Sequence, residues 1–276
     1  MTKYAICNEL FENWTAQQIA RCIASLGYTG VEIAPFTLAA VLDTLTPSQI
    51  VQHKLDYDRE GIQIIGLHWL LAQTEGMNLT SPDNDIRKKT GSYLAQLARY
   101  CRALGGDILV LGSPKQRSIP PGFNKEQIDQ FALDTLEKTL KVLEQEQVYL
   151  CLEPLGPMET NYLNTAAEAV QLAQRLNSPF VQLHLDVKAM STEKTPIPEL
   201  IQQFAPQMKH FHANDPNRRG PGMGEVDFVP IFQSLEKVHY SGWVSVEVFD
   251  YSDGAEVIAK KSIEYMKRCE AKAKNI

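Results

Sequence analysis

Cysteine chemistry is nearly missing from this chain. Its five cysteines, Cys7, Cys22, Cys101, Cys151 and Cys269, are odd in number, widely spaced and free of any CxxC pair. That pattern argues against a disulfide framework and a thiolate zinc site, and points to reduced, mostly buried thiols. No stretch approaches the roughly 18 apolar residues needed to span a bilayer. The opening MTKYAICNEL has neither a charged leader region nor a long apolar one, so a cytoplasmic protein with no membrane partner is expected. Basic charge is also short: 27 Lys and Arg stand against 33 Asp and Glu, a net charge of −6. Apart from the clusters Arg87-Lys88-Lys89 and Arg218-Arg219 the basic residues are scattered, which argues against a nucleic-acid partner. No Gly-rich dinucleotide fingerprint follows the first β-rich run, which weakens an open, doubly wound sheet.

What is present is an ordinary core-forming composition, 44% hydrophobic and 22% charged, arranged in a repeating order. Eight β-rich runs, at residues 4–8, 30–34, 62–67, 107–112, 148–153, 180–186, 208–213 and 243–249, alternate with longer segments of helical period. Helix-start signals recur between them, at Thr15-x-x-Gln18, Thr46-Pro47-x-Gln49 and Thr165-x-x-Glu168. Gly27, Gly61 and Gly105 stand where the preceding helices should stop. Eight strand-plus-helix units without a break imply an α/β fold, a closed (β/α)8 TIM barrel, as a single domain over 1–276. The loops after the third, fourth and seventh runs (68–85, 113–124 and 214–227) are long and rich in Gly, Pro or Asn, as expected of elements that cover a binding site.

The last four runs carry metal-ligand side chains at or near their ends: Glu153, Asp186, His212 and Glu247, spaced 33, 26 and 35 residues apart. Each spacing is about one strand-plus-helix unit, so a barrel would bring all four to its C-terminal mouth. Three carboxylates and an imidazole form a mixed oxygen and nitrogen site for one divalent cation. Without a cation, three like charges ~4 Å apart would repel by roughly 4 kcal/mol per pair at an effective dielectric near 20. Taken singly, each acid could equally cap a helix or pair with an arginine. His184 and His210, two residues before the ligands Asp186 and His212, are either orienting partners or satisfied core histidines. His68 and Trp69 could meet a small polar substrate by hydrogen bonding and stacking or could simply pack. Glu32 is equally ambiguous, and Lys115 and Arg117 read as solvated loop charges ahead of a phosphate clamp.

With those residues in place the chain resembles the xylose-isomerase-like TIM barrel superfamily, in particular its D-tagatose 3-epimerase-like and hydroxypyruvate-isomerase-like sugar isomerases and epimerases. The resemblance implies one divalent metal ion, usually Mn²⁺ with Mg²⁺, Co²⁺ or Zn²⁺ as substitutes, held by Glu153, Asp186, His212 and Glu247. It further implies substrate contacts from Glu159, Arg218 and Phe249. One position departs from the pattern: Ala189 stands where those epimerases carry a substrate-contacting His, and Lys188 or His68 are the substitutes at hand.

The expected chemistry is proton transfer at a carbon beside a carbonyl, through a metal-stabilised enediolate, with Glu153 and Glu247 as the catalytic pair. The substrate would be a small sugar or keto-polyol, and a homo-oligomer is compatible with the pattern. Three alternatives remain: a metal-dependent dehydratase of an inosose-like keto-polyol, an endonuclease IV-type phosphodiesterase, and a sugar-binding barrel without catalysis.

Overall fold

The computed structural model describes residues 2–39 and 42–275. Eight strands, β1 (Lys3–Cys7), β2 (Gly30–Ile33), β3 (Gln63–Leu67), β4 (Ile108–Leu111), β5 (Tyr149–Leu152), β6 (Val181–Asp186), β7 (Met208–Ala213) and β8 (Trp243–Val246), pair in chain order. Every pairing is parallel, and β8 returns to β1 through the register Lys3↔Trp243 to Ile6↔Val246, which closes the barrel. Strands this short stay ordered because both faces are buried, one inside the barrel and one under the helices.

The eight β-rich runs all become strands, several of them trimmed at their ends. The largest trim is at β8, which stops at Val246 rather than 249 because its partner β7 ends at the same level, at Ala213↔Val246. Helix starts follow the sequence signals. Thr15, Thr46 and Thr165 each close a capping box with the residue three further on, and Pro47 occupies the first turn. Gly27 (φ +90°) and Gly105 (φ +97°) end their helices in the left-handed conformation. Gly61 does not: that helix stops at Asp58 with a right-handed cap at Arg59, and Gly61 takes φ +71° in the turn beyond.

The barrel interior is stratified. At the N-terminal end, Ala5, Ile65, Ile108, Val110, Cys151 and Trp243 form a small apolar cluster separate from the main core. Side chains on one face of a strand recur every second residue. Two steps up from Val110, Cys151 and Trp243 therefore stand Gly112, Glu153 and Ser245, and one more pair of steps from Ser245 reaches Glu247. By the same period His184 leads to Asp186, and His210 leads to His212 and then Asn214. The fold thus changes from an apolar floor to a buried polar layer at the C-terminal ends of its strands. No helix among the described residues is long and apolar enough to cross a membrane.

Candidate metal centre

Glu153, Asp186, His212 and Glu247 are all buried, at 5%, 1%, 0% and 2% exposure, and they meet at the barrel mouth. Single ligand atoms of Glu153, Asp186, His212 and His184 lie within 4.8 Å of one another. Glu247 joins through its Oε2, 3.2 Å from His212 Nδ1. Register explains the convergence: Asp186 pairs with His212 across β6 and β7, and Glu247 follows β8 with its amide donating to Ala213 O at 3.3 Å.

Each side chain is held from behind. The Asp186 carboxylate accepts from the Ala189 amide at 2.8 Å and from Asn214 Nδ2 at 2.5 Å. His212 turns Nε2 to Glu32, 3.0 Å away, which leaves Nδ1 facing Glu247 and the centre of the site. Glu32 also meets His210 Nε2 at 2.7 Å, so one buried carboxylate orients two imidazoles. Trp69 Nε1 donates to Glu247 Oε1 at 2.7 Å. Glu153 is fixed through its backbone: its amide donates to Leu111 O at 3.3 Å and its carbonyl accepts from Arg117 Nη1 at 2.6 Å.

Electrostatics separate the two glutamates. Burial, then Glu247 and Asp186, push the Glu153 carboxyl well above the usual carboxylate range. Asp186 is raised to about 6, by burial and by Glu247. Burial acts on Glu247 in the same sense, but the charge and hydrogen bond of His212 outweigh it and hold that carboxyl below its ordinary value. For His212 burial is opposed by Glu32 and Glu247, which keep the imidazole protonated far above its usual range. His184 is pushed well down, by burial and by its neighbours His212 and His210, and so is neutral. Neither of its ring nitrogens has a partner, and Nε2 stands 3.9 Å from Glu153 Oε1.

This donor set fits a divalent cation. Three crowded carboxylates, one of them strongly resisting ionisation, relieve their repulsion when a cation enters, and the mix of carboxylate and imidazole suits such an ion.

Over these groups lies a cavity of about 420 Å³. Glu153, Glu247, Glu159, Arg218, Trp69 and Phe249 all line it. Trp69 and Phe249 stack with centroids 5.9 Å apart and planes at 16°, forming one wall. The Arg218 carbonyl accepts from the amides of Phe249 and Asp250, at 2.9 and 3.0 Å, and ties the loop after β7 to the one after β8. Lys188 Nζ sits 2.5 Å from Glu159 and 4.9 Å above the Phe249 ring, which places an ammonium beside the cavity near Ala189.

Two residues stand elsewhere than expected. His68, expected at the substrate, is fully buried below the mouth and outside that cavity's lining, with Nε2 2.7 Å from Glu9 Oε2. Arg117, expected in solvent, is buried at 1% exposure because its guanidinium bridges the strand-end carbonyls of Leu111 and Glu153. Burial lowers its pKa to about 10. Sequence reasoning missed Asn214 and Gly112. Asn214 was within reach, since it stands two residues beyond His212 and therefore on the same face.

The family model described as "Xylose isomerase-like TIM barrel" matches residues 20–269. A D-psicose 3-epimerase of Ruminiclostridium cellulolyticum is 29% identical over 232 residues, which cover 82% of this chain and 76% of that protein. A hydroxypyruvate isomerase of Escherichia coli is 27% identical over 157 residues, 56% of this chain and 60% of that one. Among solved structures, D-psicose 3-epimerase from Clostridium cellulolyticum, determined with D-tagatose, superposes with a TM-score of 0.85 at 23% identity, covering 98% of this chain and 99% of its own. At that identity the likeness concerns the fold.

Proposed function

Because the chain belongs to the xylose isomerase-like TIM barrel family, we propose that it is a divalent-metal-dependent sugar isomerase or epimerase, cytoplasmic, acting on the carbon beside a carbonyl. The names of its epimerase and isomerase relatives support that class. Glu153, Asp186, His212 and Glu247 would hold the ion, with Mn²⁺ the first choice. When bound, such an ion supplies Lewis-acid polarisation of the substrate carbonyl.

The observation that carries this reading is that Glu153 and Glu247, rising from β5 and β8, line one cavity together. Two carboxylates in unlike surroundings divide the proton work between them. Glu247, supplied with hydrogen bonds by His212 and Trp69, favours the ionised form; Glu153, buried beside Glu247 and Asp186 and with His184 Nε2 no nearer than 3.9 Å, favours the protonated one. In an epimerisation one carboxylate removes the carbon-bound proton and the other returns a proton to the opposite face. In an aldose–ketose isomerisation one of them serves both transfers. Glu159 and Arg218 orient the hydroxyls from the rim, and the Trp69–Phe249 wall excludes water.

The test is metal analysis of the purified protein, followed by a screen of ketoses, inososes and hydroxypyruvate in D₂O with Mn²⁺. Deuterium is expected at the carbon beside the carbonyl of at least one ketose, and EDTA should abolish the uptake. Loss of water from the product, seen by mass, would make the enzyme a dehydratase; absence of exchange from every compound would remove the proposal.

Metal should also couple to pH in a defined direction. The Asp186 carboxyl rises from its ordinary 3.8 to about 6 on folding, so its contribution to metal-free stability is complete below its unfolded value and lost as pH rises through about 6. A cation needs the ionised carboxylate and reverses that loss. The melting-temperature gain from Mn²⁺ over EDTA should therefore be small at pH 5, grow through about pH 6 and go on growing above it, because Glu153 and His212 must also give up protons to the ion. A gain independent of pH in a thermal-shift series would contradict this.

A further inference from the structure

A second and larger cavity, of about 820 Å³, adjoins the reaction cavity, and Trp69 and Gln73 line both. It begins at Asn8 and Glu9, just beyond β1, and runs past Phe36, beyond β2, so it opens at the same end of the barrel as the metal centre. The reaction cavity alone is already within the range of roughly 300–1,000 Å³ that holds a small ligand. A free ketose therefore leaves the neighbouring space unfilled.

The walls of that space have a definite chemistry. Trp14, Phe36, Trp69 and Tyr251 offer aromatic faces. Among them stand carboxylates and amides, including Glu9, Glu12 and Asn8, and no Lys or Arg is among the lining residues. Rings interleaved with hydrogen-bond acceptors match the C–H faces and hydroxyl donors of a sugar ring. With no Lys or Arg among them, and with burial favouring the neutral form of His53, the same acceptors repel a phosphate. Glu9 adds a specific need: Oε2 is taken by His68, whereas the buried Oε1 has no partner.

Backbone strain gathers at the same place. Asn13 (φ +64°), Trp69 (φ +52°) and Gln73 (φ +57°) line this cavity in the left-handed region, where side chains larger than glycine are disfavoured. Such conformations persist where the surroundings demand them, and they concentrate at ligand-holding segments.

We infer that the substrate is a ketose bearing a second, uncharged sugar ring, with its reacting end over Glu153 and Glu247 and the added ring against Trp14, Phe36 and Tyr251. This rests on the isomerase reading above and narrows its substrate class.

Isothermal titration and deuterium exchange, both with Mn²⁺, can compare fructose with three hexosyl-fructoses that leave different hydroxyls free: isomaltulose, lactulose and turanose. Fructose phosphorylated at its terminal hydroxyl tests the sign of the charge. At least one hexosyl-fructose should bind about tenfold more tightly than fructose. The phosphorylated sugar should bind no more tightly than fructose. Trp14 is 38% exposed, so Trp14→Ala should fold normally. In that variant the advantage of the hexosyl-fructose should fall to about twofold or less while fructose binding is unchanged. Equal affinities for ketoses of both sizes in the wild type, or an advantage that survives Trp14→Ala, would overturn the inference and leave the isomerase reading standing. Failure of every ketose to bind or exchange would end both.

Discussion

Replacing Glu153 or Glu247 by Gln is expected to cut solvent-deuterium uptake by about 10²- to 10⁴-fold, the usual worth of a positioned acid or base, with a further loss from weaker metal binding. The two substitutions should part company in stability. The Glu153 carboxyl resists ionisation because burial and its neighbours Glu247 and Asp186 oppose a further negative charge. A neutral amide of the same shape removes that opposition. Metal-free Glu153→Gln should therefore melt at or above the wild-type temperature at pH 8, although metal should protect it less. Glu247 is in the opposite position, since His212 Nδ1 and Trp69 Nε1 both depend on it, at 3.2 and 2.7 Å. Taking the charge from that buried set should lower metal-free stability by roughly 1–3 kcal/mol, as expected when a buried charge loses its partner. Thermal denaturation with EDTA measures both effects, and metal titration measures the loss of affinity. Full exchange activity in either variant would take that residue out of the mechanism.

The barrel and the meeting of Glu153, Asp186, His212 and Glu247 at its mouth were legible for the same reason. Strand period and strand order are local properties of a sequence, and in a closed parallel barrel they decide which side chains face inward at the mouth. Asp186 and His212 could be placed from their own strands alone. Contacts made by distant chain segments were not legible. Glu32 reaches its histidines across 178 and 180 positions, and His68 reaches Glu9 across 59. Nothing near either residue in the sequence marks the partner, so core and functional roles looked alike. Arg117 was misplaced for a related reason: a charged residue in a Pro-rich loop reads as solvated, and only the two carbonyls at the ends of β4 and β5 reveal why it turns inward.

Gly112 shows how a residue without a side chain can control the centre. It follows β4 and faces the end of β5, and a Cβ built on it would stand 1.5 Å from Glu153 Oε2. Something must move in Gly112→Ala, and the surroundings dictate what. The Glu153 backbone is pinned on both sides, by Leu111 O and by the Arg117 guanidinium, whereas its carboxylate is the free end of a flexible chain. The side chain should swing away while the barrel stays closed. Stability is then expected to change by no more than about 1 kcal/mol, while metal affinity and exchange fall about as far as in Glu153→Gln. Shortening the carboxylate should relieve the crowding, so Gly112→Ala combined with Glu153→Asp should bind Mn²⁺ more tightly than Gly112→Ala alone. That inversion, in which a second substitution at a ligand improves a damaged site, separates a steric cause from general loosening of the loop. Manganese titration of the three variants measures it. Unaltered metal binding in Gly112→Ala would mean that the carboxylate works equally well from another rotamer, and that its close approach to the end of β4 has no part in the chemistry.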